Sequence, residues 1–233
     1  MLLEISEALT GTTVNFVAII IGSLVGLLFR RGIPEKIKSI VMQGIALVVI
    51  YLGLSMAFES SEILIVIFSM VLGGVVGEVA AIEQRLNDLG DKLKARYGKD
   101  EGKFTEGFVS TTLIYCVGAL AVVGSLESGL NSNHEILYTK SLLDGTSSIA
   151  FSSSLGLGVI FSAIPVFLYQ GTIAIFAEFL SDFLAEAVVA EMSAVGGLMI
   201  MAIGLNMLNI TDIKIANLLP GILVAGVVAN IFL

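Results

Sequence analysis

Apolar residues gather in long runs separated by short polar stretches. The runs fall at about 10–29, 37–58, 62–80, 107–126, 146–168, 171–187, 193–210 and 214–233. Each is close to the roughly 17–25 residues that a helix needs to cross a bilayer. The pattern predicts an all-α, polytopic transmembrane helical bundle of about eight spans. All of 1–233 is then one integral membrane domain. The run at 171–187 is the weakest, being short and carrying acids. The longest hydrophilic stretch is 81–106. Within it Ile82, Leu86, Leu89 and Leu93 recur at helical spacing, with Arg85, Lys92, Lys94 and Arg96 between them. That spacing predicts an amphipathic helix continuing out of the third run, either resting on the membrane surface or packed on the protein.

Charge orients the runs. Arg30, Arg31, Lys36 and Lys38 follow the first run, and Arg85, Lys92, Lys94, Arg96, Lys99 and Lys103 follow the third. Between these groups, Glu59-Ser60-Ser61-Glu62 contains no positive charge. Positive loops stay cytoplasmic, so the N-terminus is expected outside. With eight spans Lys214 also falls inside, leaving Lys140 as the single external lysine. The acidic start, Met1 to Glu7, lacks the basic region of a cleavable signal, so it is expected to stay in the mature protein. The formal net charge of −8 argues against a nucleic-acid partner. The expected partners are the bilayer and a small ion or solute, and the pattern is compatible with a homo-oligomer.

The fifth run is unusually polar. Asp144, Thr146, Ser147, Ser148, Ser152, Ser153 and Ser154 lie in it or at its edge, followed by Gly156, Gly158 and Pro165. A broken or re-entrant segment would let hydroxyls and freed carbonyls line a polar path. Close helix packing through small residues is the alternative. Were this segment re-entrant, seven spans would remain and every later one would flip. Glu178, Asp182 and Glu186 share a face if the sixth run is helical. With no Lys or Arg in the interior of a run, such carboxylates must be protonated, meet water or hold a cation. Asn15, Gln43, Gln170, Asn206 and Asn217 are hydrogen-bonding residues within or near the runs, suited to interhelical bonds or to a path.

Gly53-Leu54-Ser55-Met56 is echoed by Gly204-Leu205-Asn206-Met207, which suggests an internal inverted repeat. Gly11-Thr12 and Gly22 are echoed by Gly145-Thr146 and Gly156, in runs that would point the same way. Chance in so biased a composition remains the alternative for both. The lone Cys116 and lone His134 have no metal-site partners, and no phosphate-binding loop, dinucleotide fingerprint or nucleophile elbow occurs. No catalytic residue, metal or cofactor is expected.

Several ordered stretches carry a family resemblance: Gly11-Thr12-Thr13-Val14-Asn15, Phe104-Thr105-Glu106-Gly107-Phe108-Val109, Cys116-Val117-Gly118, Lys140-Ser141-Leu142-Leu143-Asp144-Gly145, Phe161-Ser162-Ala163-Ile164-Pro165, Tyr169-Gln170-Gly171 and Asn217-Leu218-Leu219-Pro220. From about residue 10 to its end the chain resembles the prokaryotic inner-membrane proteins grouped as domain of unknown function 554. The resemblance implies a cytoplasmic-membrane protein and supplies neither substrate nor site. The expected function is a small transporter or channel for an ion or small solute. Its path would use Asn15, Asp144, Thr146, Ser147, Ser148, Ser152, Ser153, Ser154, Gln170, Glu178, Asp182 and Asn206. The alternative is a non-transporting scaffold or accessory subunit.

Overall fold

The computed structural model describes residues 6–30, 34–97 and 103–233. The terminal Met1–Ile5, Arg31 and Lys99, used above, lie outside the described residues. Among the described residues the regular elements are helices, with no strand. In chain order they are α1 (Thr10–Arg30), α2 (Glu35–Ala57), α3 (Ile63–Val79), α4 (Ile82–Tyr97), α5 (Phe104–Cys116), α6 (Ala119–Asn131) and α7 (Glu135–Leu155). There follow α8 (Gly158–Phe161), α9 (Ala163–Ile175), α10 (Ala177–Leu180), α11 (Glu186–Met207), a 3-10 turn (Ile215–Leu218) and α12 (Pro220–Phe232).

Five helical segments are long and apolar enough to cross a membrane: Thr10–Phe29, Ser39–Ala57, Gly158–Ile175, Glu186–Met207 and Ile215–Phe232. Two bent pairs raise the number to seven if each is one span: α3 with Ile82–Arg96, bent by 58°, and α5 with α6, bent by 60°. Three of the predicted runs are therefore redrawn. The run at 107–126 is broken at Val117–Gly118, where Gly118 adopts φ 125°. The run at 146–168 is not one helix. α7 begins at Glu135 and ends where Gly156 takes φ 87°, a conformation that an L side chain rarely adopts. Pro165 sits in the first turn of α9, where its missing N–H breaks no helical bond. The run at 171–187 is shared among the end of α9, the single turn α10 and a non-helical link to α11.

The chain forms two compact units, Met1–Val41 with Gly90–Asp182, and Met42–Leu89 with Phe183–Leu233. In the first, α1 and α7 lie backbone to backbone. A Cβ at Gly22 would collide with the carbonyl of Gly145, and one at Gly26 with that of Ile149, while Gly11 faces Leu137. The partners advance together along both helices, so the two run parallel. The α1 pattern is inverted relative to a soluble helix. Asn15, Ile19 and Ser23 are buried, while Val17, Ile21, Leu24 and Leu28 are exposed at helical spacing. Apolar residues outward and polar ones inward suit a lipid surround.

In the second unit α2 and α11 run antiparallel. Gly53 abuts Gly197 and Met201, and Gly204 abuts Ala46 and Ile50. Gly73 of α3 likewise meets Gly221 of α12, and Gly77 meets Asn217. Ile65, Val66, Val188, Ala194, Val195, Ala225 and Ala229 form its apolar core.

Candidate functional site

The polar centre of the first unit is built on α7. Its buried stripe, Leu137, Lys140, Ser141, Asp144, Gly145, Ser148, Phe151, Ser152 and Leu155, recurs every three or four residues and is largely polar. Lys140 and Asp144, one turn apart, are only 5% and 6% exposed. The ammonium lies 3.0 Å from Oδ1 and 2.9 Å from Oδ2 of the carboxylate. The Asn15 amide of α1 donates to Asp144 Oδ2 at 3.0 Å and, from the same nitrogen, to Gln170 Oε1 of α9 at 3.2 Å. Three helices thus converge on one carboxylate.

This centre has unused hydrogen-bonding capacity. Asn15 Oδ1, Gln170 Nε2 and Thr12 Oγ1 are buried without a hydrogen-bond partner. Thr12 lies one turn before Asn15 on the same face of α1, and its methyl group is next to Gly171. Most buried polar groups are satisfied, so two orphaned amide atoms on Asn15 and Gln170, with a third orphan one turn away at Thr12, mark this centre out. Beside them Tyr115 of α5 shares a 2.8 Å hydrogen bond with Ser148 and accepts one from Ser147 at 3.3 Å. Tyr115 is within electrostatic reach of Asp144, and Cys116, at the α5–α6 break, of both Lys140 and Asp144.

Asn15, Asp144, Gln170, Ser147 and Ser148 of the predicted path are therefore brought together. The other hydroxyls of α7 have separate uses. Thr146 is exposed and bonds the Leu142 carbonyl at 2.7 Å. Ser153 bonds the Ala150 carbonyl at 2.8 Å. Ser152 bonds its own helix and, at 2.9 Å, the Ser23 carbonyl of α1. Ser154 is buried with its hydroxyl unpartnered. Glu178 and Asp182 are exposed and do not share a helix face, because α10 ends at Leu180 and Asp182 lies in the following turn. Glu186 opens α11, so the three acids form no continuous stripe. Asn206 belongs to the second unit. Its amide accepts from Thr211 and Ile213 N and donates to Ile213 O, fixing the turn after α11.

Residues outside the predicted path also matter. Lys140, read as an external loop lysine, is instead the buried counter-ion of Asp144, so the absence of an internal cation inferred from the sequence does not hold. Charge counting treats every lysine as a loop marker, yet the Lys140–Asp144 spacing of four was visible. In the second unit, the fully buried Glu191 accepts from Ser60 Oγ at 2.7 Å, Ser61 N at 2.8 Å, Ser61 Oγ at 3.2 Å and Glu62 N at 3.1 Å. It supplies the start of α3 with the anion that the orphan amides there favour. At the other end of α3, Glu78 pairs with Lys214 at 2.7 Å and accepts from Asn217 at 2.6 Å. Asn217 Oδ1 in turn accepts from Glu83 N at 2.7 Å, clamping the α3–α4 bend. The Glu78 carboxylate holds the Lys214 ammonium above its ordinary value.

A family model described as "Protein of unknown function (DUF554)" matches residues 10–230. The uncharacterized membrane protein YdfK of Bacillus subtilis (strain 168) is 32% identical over 222 residues, 94% of this chain and 94% of that protein. The uncharacterized protein YqgA of Escherichia coli (strain K12) is 26% identical over 220 residues, 92% of this chain and 94% of that protein. No solved structure matches the chain.

Proposed function

The chain belongs to the DUF554 family of proteins of unknown function, and for this member we propose a small transporter or channel for an ion or small solute. One observation carries the reading. A buried Lys140–Asp144 pair, bonded by Asn15, which also donates to Gln170, sits close to unpartnered polar atoms of those two side chains. α7 is not itself one of the helices apolar enough to cross a membrane, but α1 and α9, which contribute Asn15 and Gln170, belong to two that are, and ionisable side chains buried against such helices are costly and mark ion or substrate paths. The breaks at Gly118 and Gly156 fit this reading, since interrupted helices are tolerated where they line a protein interior or a cavity. The path uses Asn15, Asp144, Ser147, Ser148 and Gln170, with Lys140, Thr12 and Tyr115 added. The contacts of Gly53 and Gly204 exchange when the two helices are interchanged, which supports an inverted repeat within the second unit.

In this proposal the protein resides in a prokaryotic cytoplasmic membrane, as the family resemblance implies, with its N-terminus outside, as the loop charges favour. Reporter fusions to the N-terminus and to the loop at 59–62 test that placement. Reconstitution into liposomes with a panel of ions and small metabolites tests transport. Flux above empty liposomes for one of them supports it, and none for any counts heavily against it. Cysteines placed at 147, 148, 152 and 154 add a second test. Labelling by a water-soluble thiol reagent supports a path, and silence at all four supports a packed scaffold. The scaffold reading has its own support, since Thr146, Ser152 and Ser153 spend their hydroxyls on carbonyls of α7.

A further inference from the structure

Hydrogen-bond chemistry fixes which way round the buried amides of Asn15 and Gln170 stand. The Lys140 ammonium lies 3.0 and 2.9 Å from the two Asp144 oxygens, so the carboxylate is ionised and can only accept. The Asn15 atom 3.0 Å from it must then be the nitrogen, Nδ2. That same nitrogen lies 3.2 Å from Gln170, whose facing atom must be its oxygen, Oε1. Polarity thus passes from Lys140 through Asp144 and Asn15 to Gln170. The atoms left over are set as well. They are one acceptor, Asn15 Oδ1, and one donor, Gln170 Nε2, on side chains with no exposed surface, and neither has a partner. Leaving a buried donor or acceptor unmade is costly, and a matched pair of them is what a small hydrogen-bonding molecule would satisfy.

The two free atoms are within reach of one such molecule. An amide holds its oxygen and nitrogen about 2.3 Å apart. With a 3.2 Å bond joining the inner atoms, the free ones are no more than about 8 Å apart. A third amide, hydrogen-bonded at both ends, spans about the same distance. Charge narrows the class further. Lys140 and Asp144 already neutralise each other, so an ion buried beside them would lack a partner, and a zwitterion would first have to part them. An apolar solute would leave both amide atoms unpaired. Deepening the transport reading, on which it rests, we propose that Asn15 and Gln170 bind a small uncharged solute bearing a primary amide or urea group. The solute's N–H donates to Asn15 Oδ1, and its carbonyl accepts from Gln170 Nε2. The Lys140–Asp144 pair stays closed and holds Asn15 with its oxygen free.

The test is saturation-transfer NMR on the purified full-length protein in detergent, with acetamide and urea as probes. Acetate and N,N-dimethylacetamide serve as comparators, the first charged and both without an N–H. Acetamide and urea are expected to bind saturably, and each comparator at least about tenfold more weakly. Asn15→Leu and Gln170→Met, which keep the volume and remove the free atoms, should each abolish acetamide binding. The proposal is overturned if neither acetamide nor urea binds, in which case the two atoms hold water only. It is equally overturned if either comparator binds as tightly as acetamide, or if Gln170→Met keeps the wild-type affinity. Should the variants fail to fold, the wild-type solute series decides alone. Swelling of proteoliposomes in the same solutes, beside the ion panel, separates the two readings. Flux of an ion or another solute without amide binding would remove this inference and leave the transport reading. Amide binding without flux of any kind would do the reverse.

Discussion

The ammonium of Lys140 contacts both carboxylate oxygens of Asp144 one helical turn away, and water reaches almost none of either side chain. Removing Lys140 alone leaves a buried carboxylate without its cation, and removing Asp144 alone leaves the reverse. Each single change to an apolar residue is expected to lower stability by about 3–5 kcal/mol, whereas Lys140→Met combined with Asp144→Leu should recover most of the loss. Unfolding of the three variants in one mild detergent measures this. Losses in the double variant equal to the sum of the singles would contradict it.

The parallel contact between α1 and α7 depends on an absent side chain. Gly22→Ala drives a methyl group into the Gly145 carbonyl, with an expected cost of about 1–3 kcal/mol. Gly44→Ala is the control, since a Cβ there meets nothing within 4 Å. Alanine at that helical position should be neutral or add about 0.5–1 kcal/mol. Thermal stability in detergent separates the two, and equal effects would count against the close α1–α7 approach.

Glu191 and Glu178 make a second contrast. Glu191→Ala strips the Ser61 and Glu62 amides of their acceptor at the start of α3 and should cost about 2–3 kcal/mol. Glu178→Ala changes an exposed residue and should stay within about 0.5 kcal/mol. Protease cleavage in the 59–62 loop gives an independent readout. Glu191→Ala should accelerate it and Glu178→Ala should not.

The break at Gly156 allows a local test. Gly156→Ala must adopt a φ that disfavours a Cβ, at an expected cost of about 1–3 kcal/mol. Gly158→Ala is prevented by a different cause, the Phe104 carbonyl of α5. Enlarging the space on α5 cannot rescue Gly156→Ala, because its strain is in its own backbone. Recovery of Gly156→Ala by any α5 substitution would disprove the assignment.

Membrane residence and the helical class were legible because long apolar runs have few other solutions. The convergence of Asn15, Asp144 and Gln170 was legible only as a roll of polar residues in apolar surroundings, since nothing in spacing says which helices meet. Two kinds of residue were misread for physical reasons. Val117-Gly118-Ala119 continues an apolar run, so composition hides the break, which depends on a backbone angle. Lys140 looked like a loop residue because a charge is normally expelled from an apolar run, and its pairing is a tertiary fact. Glu178 and Asp182 drew attention by their four-residue interval, yet the helix that would have aligned them is interrupted. Glu191, lying between two predicted runs, drew none.

The Glu191 contacts also limit how the second unit can move. Its carboxylate holds Ser60, Ser61 and Glu62 at once, and all four bonds would have to break together for α11 to ratchet lengthwise past α3. Sideways rocking about this tether keeps every one of them. For any such rocking the start of α3 would be the fulcrum, and the far ends of α3 and α11 would travel furthest.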